Sequence, residues 1–258
     1  MRQVRQWKQD MSGYDDHRKD LLHAVLEAGS LTVHFQPICS IRMHNVIGVE
    51  ALARGIDPET GRAIPPLLLF RAAREEDLVV ELDRACRRKA LESFGPLHRA
   101  CPNLALFVNF DVSIIDQGIL GTGVFAEYVR AQELPPSSVV IEMIESRVRQ
   151  TEGIEQFVRT YKREGFLFAL DDLGTGHSNL ERIAILKPDI LKIDRSICHD
   201  LTTQHYKREI FTALVNLGHK IGAMLVAEGI ETEDEALGVL ELGADLIQGY
   251  YLAHPGPM

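Results

Sequence analysis

Several features are missing from the 258-residue sequence. None of the four cysteines, Cys39, Cys86, Cys101 and Cys198, forms a CxxC pair. That argues against a zinc site or a redox dithiol, and the scattered, mostly apolar settings suit reduced thiols in a cytoplasm. No apolar run approaches the roughly 20 residues of a membrane helix. The segment from Met1 to Asp20 is polar and lacks the apolar centre of a signal peptide. Basic charge is also short. The formal net charge is −9, so the electrostatic footprint of a nucleic-acid binder is absent. No HExxH motif, internal repeat, low-complexity segment or Pro/Gly/Ser linker is present.

What is present is an ordinary soluble composition and a regular alternation. About 45% of residues are apolar, enough for one large core, and the length fits one (β/α) barrel, although two smaller domains would also fit. Residues 1–16 read as a flexible N-terminal segment, and 17–28 as a helix stopped by Gly29. Strand patterns fall at 32–38, 46–53, 104–110, 138–143, 166–171, 189–193, 222–227 and 245–248. Helix patterns fall at 66–74, 77–95, 122–133, 151–164, 178–186, 203–220 and 232–242. The last begins with Thr232 and Glu235 in capping-box spacing and is followed by Gly243. Alternating strands and helices predict a mainly parallel sheet, and eight strands favour a TIM-like (β/α)8 barrel. The link at 38–45 is too short for a parallel crossover, so the first strand should be antiparallel, in a hairpin with the second.

The chemistry gathers at strand ends. Glu50, Asn109, Glu142, Asp171, Asp172, Lys192, Asp194, Glu228 and Gln248 recur at or just after the carboxyl ends of successive strand patterns. In a barrel those ends converge on one face. Each carboxylate alone is more often a helix cap or loop salt bridge, and DDLGTG alone is more often a turn. Five carboxylates on one face are different, because like charges at close range oppose each other's ionisation. Hard divalent cations such as Mg²⁺ or Mn²⁺ relieve that repulsion through oxygen ligands, and two of them form a clamp for phosphodiester displacement. The basic run Arg84, Arg87, Arg88 and Lys89 reads as a solvated helix face, and His199 and His205 as surface residues.

At this point the sequence resembles the EAL domain family of cyclic di-GMP phosphodiesterases. The resemblance rests on EALAR at 50–54 preceded by FQPI at 35–38, DDLGTGHSNL at 171–180, LKPDILKID at 186–194, VAEGIET at 226–232 and QGYYLAHP at 248–255. It covers about residues 20 to 257, so 17–258 is expected to be one EAL phosphodiesterase domain. The resemblance implies a two-metal site. Glu50, Asn109, Glu142 and Asp171 would hold one ion; Asp171 and Asp172 would hold the other, with Glu228 nearby. Lys192 would position or polarise the attacking water, and whether Glu228 acts as a general base is left open. Gln36, Leu52 and Arg54 would contact the dinucleotide, and Gln248 would hold water or substrate. Asp194 would orient Lys192 or the substrate, and Glu145 would order the loop after the paired aspartates. The sequence departs from the family pattern at Ile144, Leu173, His177, Asn179 and His254, none of them a proposed metal ligand.

The function implied is metal-dependent hydrolysis of cyclic di-GMP to linear pGpG in the cytoplasm. The alternative is a receptor with vestigial turnover, and a third reading is a protein-binding scaffold without nucleotide. A homodimer is expected through the loop and helix after Asp171–Asp172. No sensor or GGDEF diguanylate cyclase domain is visible in the sequence, so either would be an upstream segment or partner; the chain reads as a stand-alone protein or an excised domain.

Overall fold

The computed structural model describes residues 18–111, 123–144, 151–174, 179–201 and 203–257. The chain divides into two compact units, Met1–His34 with Ala53–Ala90, and Phe35–Leu52 with Leu91–Met258. The expected flexible segment at 1–16 lies outside the described residues.

The larger unit is organised by a closed barrel. Its strands are β1 (Leu31–Ser40), β2 (Asn45–Ile56), β4 (Ala105–Phe110), β5 (Val139–Ile144), β6 (Leu167–Leu173), β7 (Ile190–Ile193), β8 (Met224–Ala227) and β9 (Leu246–Ile247). They neighbour one another in the order β1-β9-β8-β7-β6-β5-β4-β2, and β1 also pairs with β2, which closes the ring. From β2 through β9 the pairs are parallel, whereas β1 runs antiparallel to β9. The short turn at 41–44 between β1 and β2 permits nothing else, as expected from the sequence.

The helices bury one stripe each. In α5 (Thr151–Glu164) the stripe is Ile154, Phe157, Val158 and Tyr161, the spacing of one helical face. In α8 (His205–Ile221) it is Phe211, Val215 and Gly218. Helix α9 (Glu233–Glu241) starts with the anticipated capping box between Thr232 and Glu235. Two other helices needed between these strands are α4 (Val124–Ala131) and α6 (Asn179–Leu186), and a single turn, α7 (Arg195–Cys198), follows β7.

Helix α3 (Val79–Ala100) departs from the expected end at 95 by running through Pro96. A mid-helix proline removes one backbone hydrogen bond and disfavours the turn before it. Here Leu91, Phe94 and His98 are buried on one face while Pro96 is exposed on the other. The apolar stripe therefore continues past the proline, and burial outweighs the lost bond.

The smaller unit packs α1 (Arg18–Ala28) and α2 (Pro66–Glu75) around Leu22, Val25, Leu68, Leu69 and Leu82. A two-residue strand, β3 (Ala63–Ile64), pairs there with the end of β2. The basic run in α3 needs correction. Arg87 is buried and forms an ion pair with Asp83, one turn earlier and also buried. An arginine in the buried stripe of a helix requires a carboxylate one turn away, and Asp83 supplies it. Of the four basic residues only Arg88 is exposed, while Arg84 and Lys89 are half-buried. His199 and His205 are exposed, as expected.

Candidate functional site

One layer of the barrel interior is wholly apolar. It comprises Ile38, Phe107, Val140, Ala169, Ile190, Val226 and Leu246, one from each of seven strands, all buried. The eighth strand, β2, contributes Gly48, where an added Cβ would lie 2.5 Å from Phe107 Cε2. Side chains two residues apart on a strand share a face. Two residues on from this layer, toward the carboxyl ends of the parallel strands, stand Glu50, Asn109, Glu142, Asp171, Lys192, Glu228 and Gln248. On antiparallel β1 the same step runs backward, from Ile38 to Gln36. Strand parity thus stacks a ring of polar groups directly on a ring of apolar ones.

Lys192 stands at the centre of that polar ring. It is 1% exposed. Its Nζ lies 2.6 Å from Glu142 Oε1, 2.7 Å from Glu228 Oε1, 3.4 Å from Asp171 Oδ1 and 3.8 Å from Glu50 Oε2. Burial by itself would push the ammonium pKa down, but the combined field of Asp171, Glu142, Glu228 and Glu50 outweighs it and holds it well above the ordinary value. Two of the carboxylates are also shifted up, which for them favours the neutral form. Burial pushes Glu142 well above the usual carboxylate range, with only partial relief from Lys192. Burial likewise pushes Glu228 up to about 8. One ammonium cannot neutralise four carboxylates.

The glutamines and asparagine orient the ring. Asn109 Nδ2 donates to Glu50 Oε1 at 3.1 Å, and Gln248 Nε2 donates to Glu50 Oε2 at 2.7 Å. Gln248 Nε2 also donates to Gln36 Oε1 at 3.3 Å, and Gln36 Nε2 donates to the Ala253 carbonyl at 3.2 Å. Three buried acceptor atoms, both oxygens of Glu142 and Oε1 of Gln248, have no aligned hydrogen-bond donor. Buried acceptors of this kind are normally satisfied by a partner.

The paired aspartates owe their arrangement to a bulge. Leu170 pairs with Leu191 and Leu173 with Ile193, so β6 carries one residue more than β7 across this interval. Asp172 is the extra residue, and its φ of 61° lies in the left-handed region. That conformation is sparsely populated for residues with a Cβ, although aspartate is among those that adopt it. In a regular strand adjacent side chains point to opposite faces; a bulge re-aims one of them. Here Asp171, Asp172 and Glu228 each offer an oxygen, and the three lie within 4.8 Å of one another. The adjacent aspartates are visible in the sequence, but nothing in it announces that both serve one face.

The remaining candidates are more dispersed. Asp194 caps α7, its Oδ1 accepting from the Ser196 amide at 2.8 Å. Among the described residues it is not one of the ion-pair partners of Lys192. Its expected role was to orient Lys192 or the substrate; one of its oxygens, Oδ1, serves the α7 turn. Leu52 lies on β2 in the larger unit, and Arg54 lies on the same strand in the smaller unit, where it donates to the Ala53 carbonyl at 2.9 Å. Glu145 and His177 lie outside the described residues. Leu173 is buried at the end of β6.

The oxygen-rich donor set fits hard divalent cations. Asp171, Asp172 and Glu228 form one candidate triad, and the buried oxygens of Glu142, one of them 2.6 Å from the Lys192 ammonium, belong to the same acidic ring. Among the described residues no helix is long and apolar enough to cross a membrane.

Comparison with known proteins agrees with this architecture. The cyclic di-GMP phosphodiesterase RocR of Pseudomonas aeruginosa is 30% identical over 245 residues, which is 90% of this chain and 59% of RocR. The chain spans a smaller share still of other curated relatives. Among solved structures, the phosphodiesterase PaMucR in complex with c-di-GMP superposes with a TM-score of 0.80 at 28% identity, covering 92% of this chain and 98% of that one. BlrP1 of Klebsiella pneumoniae, solved with manganese and the same dinucleotide, gives 0.78 at 25% identity, covering 88% and 56%. The family model for the EAL domain matches residues 18–255. An acidic ring on a barrel with one reversed strand, and a family match over nearly the whole sequence, lead to one conclusion: this chain belongs to the EAL domain family.

Proposed function

We propose that the chain hydrolyses one phosphodiester linkage of cyclic di-GMP to give linear pGpG, with two divalent cations, Mg²⁺ or Mn²⁺. The observation that carries this reading is the excess of carboxylates over cations in the polar ring. Lys192 stands against Glu50, Glu142, Asp171 and Glu228, and a bulge adds Asp172 beside two of them. A fold gains nothing from such a cluster unless cations complete it.

Glu50, Asn109, Glu142 and Asp171 would hold one ion, and Asp171, Asp172 and Glu228 the other. Bound there, such ions lower the pKa of water and offset charge at a phosphodiester. The residues of the chain do the rest. Gln248 and Asn109 fix both oxygens of Glu50 by hydrogen bonds. Lys192, clamped by Glu142 and Glu228, is placed to orient the attacking water. Gln36, Leu52 and Arg54 are assigned to the dinucleotide, Arg54 through a phosphate oxygen. Turnover in the cytoplasm by a homodimer, and Glu145 as the residue that orders the loop after Asp172, belong to the same proposal.

The test is a timed chromatographic assay of the purified chain with cyclic di-GMP and Mn²⁺ or Mg²⁺. Linear pGpG should accumulate, and should vanish with EDTA and in Glu50→Ala. Absence of product from a folded, metal-loaded sample would overturn the enzyme reading. Retained dinucleotide binding in that sample would then identify a receptor.

A further inference from the structure

Glu228 stands on a segment that neither a strand nor a helix holds. Strand β8 ends at Ala227, helix α9 begins at Glu233, and residues 228–232 between them belong to neither. At one end the Glu228 amide donates to the Ile193 carbonyl at 3.0 Å, one bond beyond the β7–β8 ladder. At the other end the segment is held by Glu235, on the first turn of α9. Its Oε2 accepts from the Glu231 amide at 2.8 Å and from the Thr232 amide at 3.2 Å. Its Oε1 lies 2.6 Å from His199 Nδ1. Burial opposes the charge on Glu235, but the Glu231 amide, His199 and the Thr232 amide together hold its carboxyl below the ordinary range. An ionised carboxylate only accepts, so Nδ1 is the donor.

His199 is exposed and ends the α7 turn. Its amide donates to the Arg195 carbonyl at 2.9 Å, and its carbonyl accepts from Lys207 Nζ at 3.1 Å. Its Nε2 lies 3.5 Å from Asp200 Oδ2. The turn is itself fixed to β7. Asp194 caps its start, and Cys198 Sγ donates at 3.2 Å to the Ile193 carbonyl, the acceptor that also receives the Glu228 amide. The contacts therefore make a closed circuit. It leaves Ile193 through Glu228 and the 228–232 segment, crosses from Glu235 to His199, and returns through Cys198. Arg195 makes a second tie from α7 to the same segment, through its ion pair with Glu231. An exposed pair contributes little to global stability. What the His199–Glu235 pair fixes is the spacing between the α7 turn and the segment that carries Glu228.

We infer that His199 and Glu235 are positioning residues, which fasten the 228–232 segment to the end of β7 and so hold the Glu228 carboxylate beside Asp171 and Asp172 for a divalent cation. This rests on the reading of the acidic ring as a metal-dependent site. Groups directly behind a metal ligand are worth about ten- to a hundredfold in metal affinity. His199 acts from further away, through Glu235 and the backbone, so its effect falls at or below the lower end.

The test is Mn²⁺ calorimetry on the whole chain and its variants, with melting curves in EDTA and the pGpG assay run across Mn²⁺ concentration. His199→Ala should lower Mn²⁺ affinity by about three- to tenfold, while melting in EDTA stays within about 2 °C of the parent. His199→Asn, whose Nδ2 can donate in place of Nδ1, should recover affinity to within about twofold. Glu235→Ala also strands two amides and should lower affinity by about tenfold or more. At saturating Mn²⁺ the kcat of His199→Ala should return toward that of the parent with KM unchanged, since the pair acts on a ligand of the ion and not on the dinucleotide. Parent-like Mn²⁺ affinity in His199→Ala overturns the inference, whatever the melting temperature does, and leaves the functional reading standing. A loss of affinity that His199→Asn fails to recover overturns it as well. Should Glu235→Ala not fold, the two His199 variants decide. A parent chain that binds Mn²⁺ but yields no pGpG sinks the enzyme reading alone, and the affinities of the variants still judge the pair. A parent that binds no Mn²⁺ overturns both.

Discussion

Two adjacent layers of the same barrel interior differ as much as any two regions of a protein can. The layer of Phe107, Val140, Ile190 and Val226 is apolar and close-packed. One step of two residues away, the layer of Glu50, Glu142, Asp171 and Lys192 is charged and almost as buried. Strand periodicity places both, so backbone geometry does not distinguish them. The difference teaches that the first layer is complete in itself, whereas the second stores unfavourable charge that a bound cation can relieve. Packing is the work of the first layer, and the proposed function draws on the second.

The sharpest way to break this division is to remove a carboxylate. Asp171→Asn should reduce Mn²⁺ affinity, measured by calorimetry, by more than about a hundredfold, since even partners behind a metal ligand are worth ten- to a hundredfold. Turnover should fall with it, while the melting temperature holds or rises because like-charge repulsion is reduced. A large loss of stability would contradict the comparison.

Lys192→Met tests the reverse. It removes the ammonium shared by four carboxylates, and stranding buried charge in this way costs about 3–5 kcal/mol. Chemical denaturation in EDTA should register that loss, and added Mn²⁺ should restore part of it. In the apolar layer, Gly48→Ala drives a methyl against Phe107 and the Ala105 carbonyl. Overpacking of this kind should destabilise by about 1–3 kcal/mol, and kcat per folded molecule should change far less than in Asp171→Asn.

A further test sharpens the comparison through pH. Glu228 is raised by burial from an ordinary 4.5 to about 8, and Glu142 is raised in the same direction. In the metal-free chain both are protonated more readily folded than unfolded. The contribution of Glu228 is present in full below about 4.5 and is lost as pH rises through about 8. Melting in EDTA should therefore move down between pH 5 and 8 relative to Glu228→Gln, and saturating Mn²⁺ should reverse the trend, because ions bind the ionised carboxylates.

Much of this was legible in the sequence. Each barrel strand falls within a few residues of its apolar pattern, because a strand buried on both sides reads as a short apolar run closed by a turn. The polar residues at the strand ends could be picked out because seven of them break such runs at matching points. Three features were not legible. Pro96 lies inside a helix because the buried stripe continues past it. Arg87 is buried because Asp83 is buried with it. Asp194 caps α7 because the helix start offers the Ser196 amide to its Oδ1. Each turns on which neighbour a side chain meets, which local pattern does not encode.

The sequence by itself determined the alternation of strands and helices, the reversed first strand and the family. These follow from periodicity, link length and motifs, all of which are local along the chain. Only the tertiary structure decided that Lys192 faces four carboxylates at once, and that a bulge turns Asp172 onto the face of Asp171 and Glu228. The physical reason is that electrostatic energy depends on distances across the barrel. Those distances are set when eight strands close into a ring, and residues such as Glu50 and Gln248, 198 positions apart in the chain, come within 2.7 Å.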